Sequence, residues 1–271
     1  MSGQLILLFF LAILIAWIEL SHRLRPYSPL RLEAFDWEIT RQSKSLIAKG
    51  YLEINNPHRR MEIMVPEFLI SPKLLGKGKA NQVKIKTELK VEQLDDYSRK
   101  DEYWEAFIVK SKQKKRIDVT LELLNDDLDE FLENIWLDIH WINYGPFGRI
   151  KRQNGFVIPI KYPIPLTSEK AYFKQYRDFQ LLPIKTHILG TLDDIIDITN
   201  KYVSQIVKPG DILTIGETPM AVIQGRYSHP SNINPGFIAK MLCIGFHPTS
   251  SLATSCGLQS LIDLVGPTRV I

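Results

Sequence analysis

"SLIAKGYLEINNPHRR", Ser45 to Arg60, is a strand followed by a turn. Apolar and polar residues alternate with a period of two up to Ile54, which is typical of a strand with one buried face. The Asn-Asn-Pro sequence that follows is typical of a turn. Five more runs show the same alternation: Met61–Ile70, Asn81–Val91, Glu102–Lys110, Arg116–Leu124 and Ile135–Tyr144. Short strands at this spacing predict an antiparallel sandwich over residues 33–162.

The composition of the 271-residue chain is that of a globular protein, with 45% hydrophobic and 24% charged residues. The net charge is +4 and the pI is about 8.9, but the basic residues are spread along the chain. Nucleic-acid binding would require them to be gathered with aromatic residues on one face, so no nucleic-acid partner is expected. Cys243 and Cys256 show no C-x-x-C pattern, and reduced thiols in a cytosolic setting are favoured over a disulfide.

The N-terminus carries an uncharged apolar run, Leu5 to Ile18. With its neighbours it predicts a transmembrane anchor over residues 1–20. Arg23, Arg25 and Arg31 follow the run and no basic residue precedes it, so the positive-inside rule predicts an outside N-terminus with the bulk of the chain cytoplasmic. A cleaved signal peptide and a buried core helix are the alternatives. The membrane is therefore an expected partner of a single-pass protein.

A basic cluster lies between two of the predicted strands: Lys110, Lys112, Lys114, Lys115 and Arg116. We interpret it as the solvated tip of a hairpin. The alternative is attraction to anionic lipid headgroups.

The strand-like alternation of apolar and polar residues ends near residue 162. Residues 163–178 contain two prolines without a steady period and are predicted to be a linker. Beyond them, "LDDIIDITNKYVSQI" has helical spacing, "KPGDILTIG" is interpreted as a turn and a strand, and "PMAVIQGR" as a helix. A late helix is predicted in "SSLATSCGLQSLIDLVG", capped by Ser250 or Ser251. Strands alternating with helices predict an α/β piece over residues 179–271.

The junction Gly216–Thr218 is the strongest local candidate for a ligand site. A strand that turns into a helix presents free N–H groups to an anion, and Pro219 suits the first helical turn. Thr218 is expected to be the N-cap, which is also the ordinary structural use of such a residue. Glu217 is a poor neighbour for phosphate unless a metal or a basic group lies between them.

Several segments together resemble a known family. "LLPIKTHI", "LDDIIDI", "KPGDILTIGET" and "QGR" are similar to the N-terminal part of the γ-glutamyl ligases of deazaflavin coenzyme biosynthesis (coenzyme F-420-0:L-glutamate ligase). The continuation from Arg226 to Val270 is similar to long cyanobacterial proteins of that kind. Separately, "GYLEINNP" makes residues 33–162 resemble the water-stress domain of late-embryogenesis-abundant proteins, which would imply an immunoglobulin-like sandwich.

The ligase resemblance implies an amide ligation of glutamate that uses GTP and a divalent metal. It implies nucleotide contacts at His187, Ile188, Leu189, Gly190, Glu217 and Thr218. Val222 stands where the family has a phosphate-facing lysine, and the metal-binding aspartates of the family come later than Ile271. No catalytic residue is assigned, and Asp263 is interpreted as an exposed helix position.

The remaining histidines and cysteines give no further site. His58, His140, His187, His229 and His247 lack the short spacing of zinc ligands, so no metal site is assigned. Core packing is favoured over nucleophilic use for both cysteines.

The sequence thus predicts an α+β fold: a transmembrane helix, an antiparallel β-sandwich and an incomplete α/β ligase-like domain. Two functions remain open. The chain is a γ-glutamyl ligase-like protein that is inactive alone and needs a protein partner or a missing C-terminal half, or it is a membrane-tethered scaffold that acts through the sandwich.

Overall fold

The computed structural model describes residues 3–23, 30–42, 44–77, 83–91, 106–125, 128–145, 148–167, 172–227, 230, 233–266 and 269–270. Within these residues the protein is mostly β-sheet with small helices. The strands are β1 (Arg31–Gln42), β2 (Ser45–Asn55), β3 (Ile63–Gly76), β4 (Lys84–Val91), β5 (Phe107–Val109), β6 (Lys114–Leu124), β7 (Leu132–Gly145), β8 (Gly148–Pro159), β9 (Lys174–Tyr176) and β10 (Phe179–Leu181). The α-helices are α1 (Gly3–Arg23), α2 (Leu128–Phe131), α3 (Ile195–Val203), α4 (Glu217–Ile223), α5 (Phe237–Leu242) and α6 (Ser255–Val265).

Two four-stranded sheets account for β1 to β8, in the orders β1-β2-β6-β4 and β5-β3-β7-β8. The ladders β1–β2, β2–β6, β4–β6 and β3–β5 are antiparallel. Alternate residues of the central strands are buried because the side-chain period of a strand is two. In β2 these are Leu46, Ala48, Leu52 and Ile54, and in β6 they are Ile117, Val119, Leu121 and Leu123. The alternation predicted from the sequence is confirmed in these strands.

Contact clustering divides the chain into two compact units. The first comprises Met1–Leu132 and Trp136–Arg152, and the second comprises Glu133–Ile135 and Gln153–Ile271. The predicted domain boundaries at residues 33–162, 163–178 and 179–271 stay predictions.

The prediction of a membrane anchor is wrong. In the part of the chain that the structure describes, no helix is long and apolar enough to cross a membrane. The uncharged apolar run Leu5–Ile18 has 14 residues and is about 21 Å long as a helix, whereas the hydrocarbon core is about 30 Å thick. Helix α1 reaches Arg23 only by including Glu19 and the polar residues after it. The predicted single-pass location, with the N-terminus outside and the bulk of the chain cytoplasmic, depended on this anchor and is therefore also wrong.

The prediction of an α+β fold with an α/β piece after residue 179 is also wrong. From residue 172 onward, the described residues contain one two-stranded hairpin, β9–β10, and four short α-helices. "DILTI" was predicted as a strand, but it has no strand partner there, and Ile212 is 89% exposed. A strand without a neighbour leaves its backbone N–H and C=O groups unpaired, so this apolar run does not form one.

The basic cluster spans a turn and the start of a strand: Lys110 and Lys112 lie between β5 and β6, whereas Lys114, Lys115 and Arg116 are the first residues of β6. The turn connects two different sheets and is not the tip of a hairpin. β5 pairs with β3 in one sheet, whereas β6 pairs with β2 and β4 in the other. The Gln113 N–H donates to the carbonyl of Lys110, and Lys112 has a positive φ of 58°, so the chain reverses here in a tight turn.

Candidate functional site

A hydrogen-bonded loop at the start of α3 contains four of the six predicted nucleotide contacts. The Asp193 carboxylate forms hydrogen bonds within this loop through both of its oxygens. Oδ1 lies 2.9 Å from Nε2 of His187, and Oδ2 accepts the backbone N–H of Gly190 at 2.7 Å. The Asp193 N–H in turn donates to the Gly190 carbonyl. One side chain therefore fixes both ends of the segment His187–Gly190.

His187 is buried and has a partner at each ring nitrogen. Its side chain is 1% exposed, and Nδ1 lies 2.8 Å from the hydroxyl of Tyr202. Burial raises the pKa of the Tyr202 hydroxyl, with a hydrogen bond from the His187 backbone partly offsetting it. The hydroxyl therefore stays protonated and can donate to Nδ1, which leaves the Nε2 proton for Asp193. This order of donors assigns the Nε2–H tautomer.

Tyr162 and Lys201 cover this buried pair. The Tyr162 ring meets the imidazole of His187 edge-on, with centroids 4.8 Å apart. The Lys201 ammonium lies 3.4 Å from the centre of the Tyr162 ring, a cation–π contact. Burial raises the pKa of the Tyr162 hydroxyl, and the charge of Asp193 adds to this. The cluster of Tyr162, His187, Asp193, Lys201 and Tyr202 is thus a packed group that stabilises the loop.

The "QGR" segment approaches the same loop. Gly225 ends α4 with a φ of +63°, which favours glycine, and a Cβ placed on it would lie 3.6 Å from Cγ2 of Thr191. Two of the segments that carry the family resemblance are therefore neighbours in the second unit.

Glu217 and Thr218 are exposed at the first turn of α4, but Thr218 is not the N-cap. Gly216 takes that position with extended backbone and no side-chain cap, while Pro219 lies in the first turn as predicted. Val222 is half-buried on the same helix. The reason for the missed cap is local, since the extended backbone that a cap requires falls two residues earlier.

The loop and α4 do not form a ready phosphate site. Both nitrogens of His187 and the N–H of Gly190 are engaged within the protein. The carboxylate of Glu217 adds negative charge at the start of α4. Ile188, which is 50% exposed, and Leu189 contribute no charge. These groups do not fit a triphosphate, and the nucleotide contacts implied by the resemblance stay predictions.

The other candidate residues are placed as follows. His140 lies 3.1 Å from Asp138, and His247 contacts the Thr249 hydroxyl. Asp263 is an exposed residue of α6, and its carboxylate accepts from Gln259. Both cysteine thiols are free, and Cys243 packs against the small core of Ala239, Leu258 and Ile262. His58 accepts the N–H of Arg60, whereas His229 lies outside the described residues. Among the described side chains, no group of three His, Cys, Asp or Glu is placed to hold a metal ion.

Sequence reasoning missed Asp193, Lys201, Tyr202 and Tyr162. A signal was present for Tyr202, which follows Ile198 by four residues and precedes Ile206 by four, so all three lie on one helical face. All three are buried. The predicted helical spacing included Ile206 but not Ile198 or Tyr202, and it included Ile196, which is 66% exposed.

Substitution of Asp193 by asparagine is expected to open the loop. An amide can accept at only one of its two positions, so either the Gly190 N–H or the His187 Nε2–H loses its acceptor, at a cost of about 1–3 kcal/mol. Amide hydrogen exchange at Gly190 should accelerate accordingly, and ¹⁵N NMR of His187 should show loss of the single tautomer.

The matched control for this substitution is the neighbouring Asp194→Asn. Asp194 is the N-cap of α3, and its side chain accepts from the N–H groups of Ile196 and Asp197. Asparagine caps helices about as well as aspartate, so this variant should leave Gly190 exchange unchanged. Equal acceleration in both variants would mean that Asp193 has no special role in the loop.

The comparisons with known proteins concern the first part of the chain. Residues 31–162 match the family described as F420-0:gamma-glutamyl ligase, N-terminal Ig-like domain. No curated protein matches the sequence, and no comparison supports the late-embryogenesis-abundant resemblance.

Two solved structures are similar to about half of the chain. The GAE domain of yeast GGA1 is 14% identical, with 50% of this chain and 96% of that chain covered and a TM-score of 0.27. The GAE domain of GGA2p from Saccharomyces cerevisiae is 11% identical, with 50% and 95% covered and a TM-score of 0.25. At these scores neither likeness carries an argument. The family match covers residues 31–162, which are similar to the N-terminal Ig-like domain of F420-0:gamma-glutamyl ligases.

Proposed function

We propose that this protein serves the GTP- and metal-dependent addition of glutamate to a deazaflavin-type coenzyme, as a ligase-like protein that does not perform the ligation alone. The observation that carries the proposal is the family match of residues 31–162. The ordered motifs after residue 179 support it, because "THI", "GET" and "QGR" occur in the order of the ligase family.

The geometry of the second unit is the reason for expecting no ligation by this chain alone. Carboxyl activation by phosphoryl transfer requires positioned donors and positive charge around the phosphates. Here the His187 Nε2–H and the Gly190 N–H already donate to Asp193, and the His187 Nδ1 already accepts from the Tyr202 hydroxyl. Glu217 places a carboxylate at the start of α4, and Val222 later in the same helix is uncharged. Helix α4 therefore adds no compensating positive charge at these two positions.

We therefore expect the purified 271-residue chain to form no glutamylated product from GTP, magnesium or manganese, L-glutamate and a deazaflavin acceptor. Mass spectrometry of the acceptor measures the product directly. Loss of charge-assisted phosphate contacts costs several kcal/mol, and each 1.36 kcal/mol is tenfold in rate. Product formation that Thr218→Ala abolishes would contradict this expectation, since Thr218 is exposed at the implied nucleotide site.

A second candidate is a non-catalytic interaction protein that acts through the Ig-like domain. The observation that favours it is that the family match covers this domain and stops at residue 162. The two candidates separate when a second polypeptide that supplies metal-binding acids is added to the assay. Ligation that then depends on this chain identifies a component of the ligase, whereas ligation that is independent of it identifies a scaffold.

A further inference from the structure

Two connections of the first unit meet at one end of the Ig-like domain. One is the loop between β2 and β3, and the other is the turn between β5 and β6. The Lys112 N–H donates to the His58 carbonyl at 3.2 Å, and the Ser111 hydroxyl donates to the Arg59 carbonyl at 2.8 Å. Segments that are about 50 residues apart in the sequence therefore form one surface.

Buried Asn56 fixes the backbone of this surface. Its side-chain amide donates to the carbonyls of Met61 at 2.7 Å and Val109 at 3.0 Å, which closes the loop and attaches it to β5. The Asn56 N–H donates to the carbonyl of Gln113 at the other side of the turn. The two connections are thus held together by hydrogen bonds that do not use their charged side chains.

Four exposed basic side chains extend from the two connections, and we call them the basic end: Arg59, Arg60, Lys110 and Lys112. None of the four forms an ion pair with any residue that the structure describes. Glu62 is the single acidic residue in the sequence of the two connections, residues 56–62 and 110–113. The basic end therefore carries a net positive charge that the described residues do not neutralise.

The strands next to the basic end add little to this charge. At the start of β6, Lys114 pairs with Glu53 of β2. The Arg116 Nε lies 2.8 Å from Asp118 Oδ1 on the same strand. Basic side chains of β6 are matched by acids there, so the excess of positive charge belongs to the two connections.

The composition of the two connections favours an anionic lipid surface as the partner. Neither contains Phe, Tyr or Trp, the residues on which the bases of single-stranded nucleic acids stack. A bound peptide would need apolar contacts at the centre of its interface, but Met61 of the loop is itself buried inside the domain. Attraction to lipid headgroups requires only basic side chains close to the surface.

We infer that the basic end binds the anionic headgroups of a lipid surface and holds the Ig-like domain against it. The contact is electrostatic and lies outside the hydrocarbon, so no part of the chain has to cross the bilayer. Each basic residue close to such a surface contributes about fivefold in affinity. Binding by the basic end is therefore reversible and weakens as salt screens the charges.

Co-sedimentation of the full chain with lipid vesicles tests this inference. One set of vesicles is phosphatidylcholine, and the other is an equal mixture of phosphatidylcholine and phosphatidylglycerol. The readout is the ratio of the two partition coefficients, because attraction through exposed apolar side chains such as those of α1 contributes to both. The ratio should favour the anionic vesicles at about 0.1 M salt and approach unity at about 1 M, since the Debye length falls from about 10 Å to about 3 Å.

Two variants remove charge from the basic end: Arg59→Gln/Arg60→Gln and Lys110→Gln/Lys112→Gln. Each should lower the ratio by about tenfold or more, because two contributions of about fivefold are lost. All four side chains are exposed, and the hydrogen bonds of the two connections do not involve them, so both variants should unfold at the wild-type denaturant midpoint.

The matched control is Lys84→Gln/Lys86→Gln, which removes the same charge from exposed positions of β4. Lys84 lies opposite Leu124, the last residue of β6, whereas the basic end adjoins the first residue, Lys114. The length of β6 separates the two places by about 34 Å, which is more than three Debye lengths at about 0.1 M salt. The control should leave the ratio unchanged.

A wild-type chain that binds both sets of vesicles equally would overturn the inference. So would a preference for anionic vesicles that both variants of the basic end retain, or one that the control loses to the same extent. Binding to soluble poly-L-glutamate without any preference for anionic vesicles would also overturn it, because the basic end would then serve an acidic protein partner. The assay contains no GTP, glutamate or deazaflavin, so its result does not depend on the proposed ligation.

Discussion

Replacing Asn56 by alanine is expected to lower the unfolding free energy of the Ig-like domain by about 3 kcal/mol. Asn56 is fully buried directly after β2, and its amide group donates to the carbonyls of Met61 at 2.7 Å and Val109 at 3.0 Å. Its oxygen accepts the N–H of His58. Alanine leaves two carbonyls and one N–H without partners, and each buried orphan costs about 1–3 kcal/mol.

Denaturant unfolding of the full chain, followed by the signal of the β-sheet, measures this loss. Asn56→Asp should be worse than alanine, because it places a carboxylate against two carbonyl oxygens. The adjacent Asn55→Ala is the matched control, since Asn55 is only half-buried on β2. If Asn56→Ala and Asn55→Ala have the same midpoint, Asn56 does not tie the end of β2 to β3 and β5.

Gly50→Ala should destabilise the same domain by about 1–3 kcal/mol through overpacking. A Cβ at Gly50 would lie 2.4 Å from Cδ2 and 2.7 Å from Cγ of Trp37. These atoms are near the root of the side chain, so the whole indole must move. Trp37 lies in a β-bulge of β1, where the register shifts between Phe35 and Glu38, and this fixes the ring against β2.

A double-mutant cycle isolates this contact. In a Trp37→Ala background the added methyl group meets no ring, so Gly50→Ala should cost much less than in the wild type. Gly245→Ala serves as the control, because a Cβ at Gly245 has no heavy atom within 4 Å. Additive losses in the double variant would show that the clash is not the cause.

The bulge also explains which strands could be predicted from the sequence. β2, β4 and β6 keep one phase of alternation and were identified. β3 and β7 were also identified, although their buried phase changes between Val65 and Phe68 in β3 and between Asn134 and Ile135 in β7. In β1 Asp36 and Trp37 together oppose the single residue Gly50, and this one extra residue changes the phase of the alternation. Asp36 also takes a positive φ of 49°, so the pattern does not indicate one continuous strand. β8 was also missed, since its first half is polar and exposed.

Local signals identified α3, α4 and α6 of the second unit but not α5. Helix α3 forms within the segment predicted to be helical, but its buried residues are Ile198 and Tyr202, which the predicted spacing did not include. Helix α6 was predicted, but Thr254 caps it, while Ser250 caps a short 3-10 turn over Ser251–Ala253. Both serine and threonine are good caps, so sequence alone could not choose between successive candidates.

The cluster around His187 could not be predicted because its members meet only through the folded loop. Asp193 lies six residues and Tyr202 fifteen residues from His187. No helical or strand period gives these spacings, and the pairing depends on the closed loop before α3. The family resemblance drew attention to His187–Gly190, but it gave no indication that these groups are bound internally.

Hydrogen exchange of the full chain with and without GTP and magnesium tests the central claim most directly. We expect unchanged exchange at residues 187–190 and 217–218, because the His187 Nε2–H and the Gly190 N–H already donate to Asp193 and the His187 Nδ1 already accepts from Tyr202. Slower exchange confined to these two segments, and lost in Thr218→Ala, would contradict it and identify a nucleotide site in this chain.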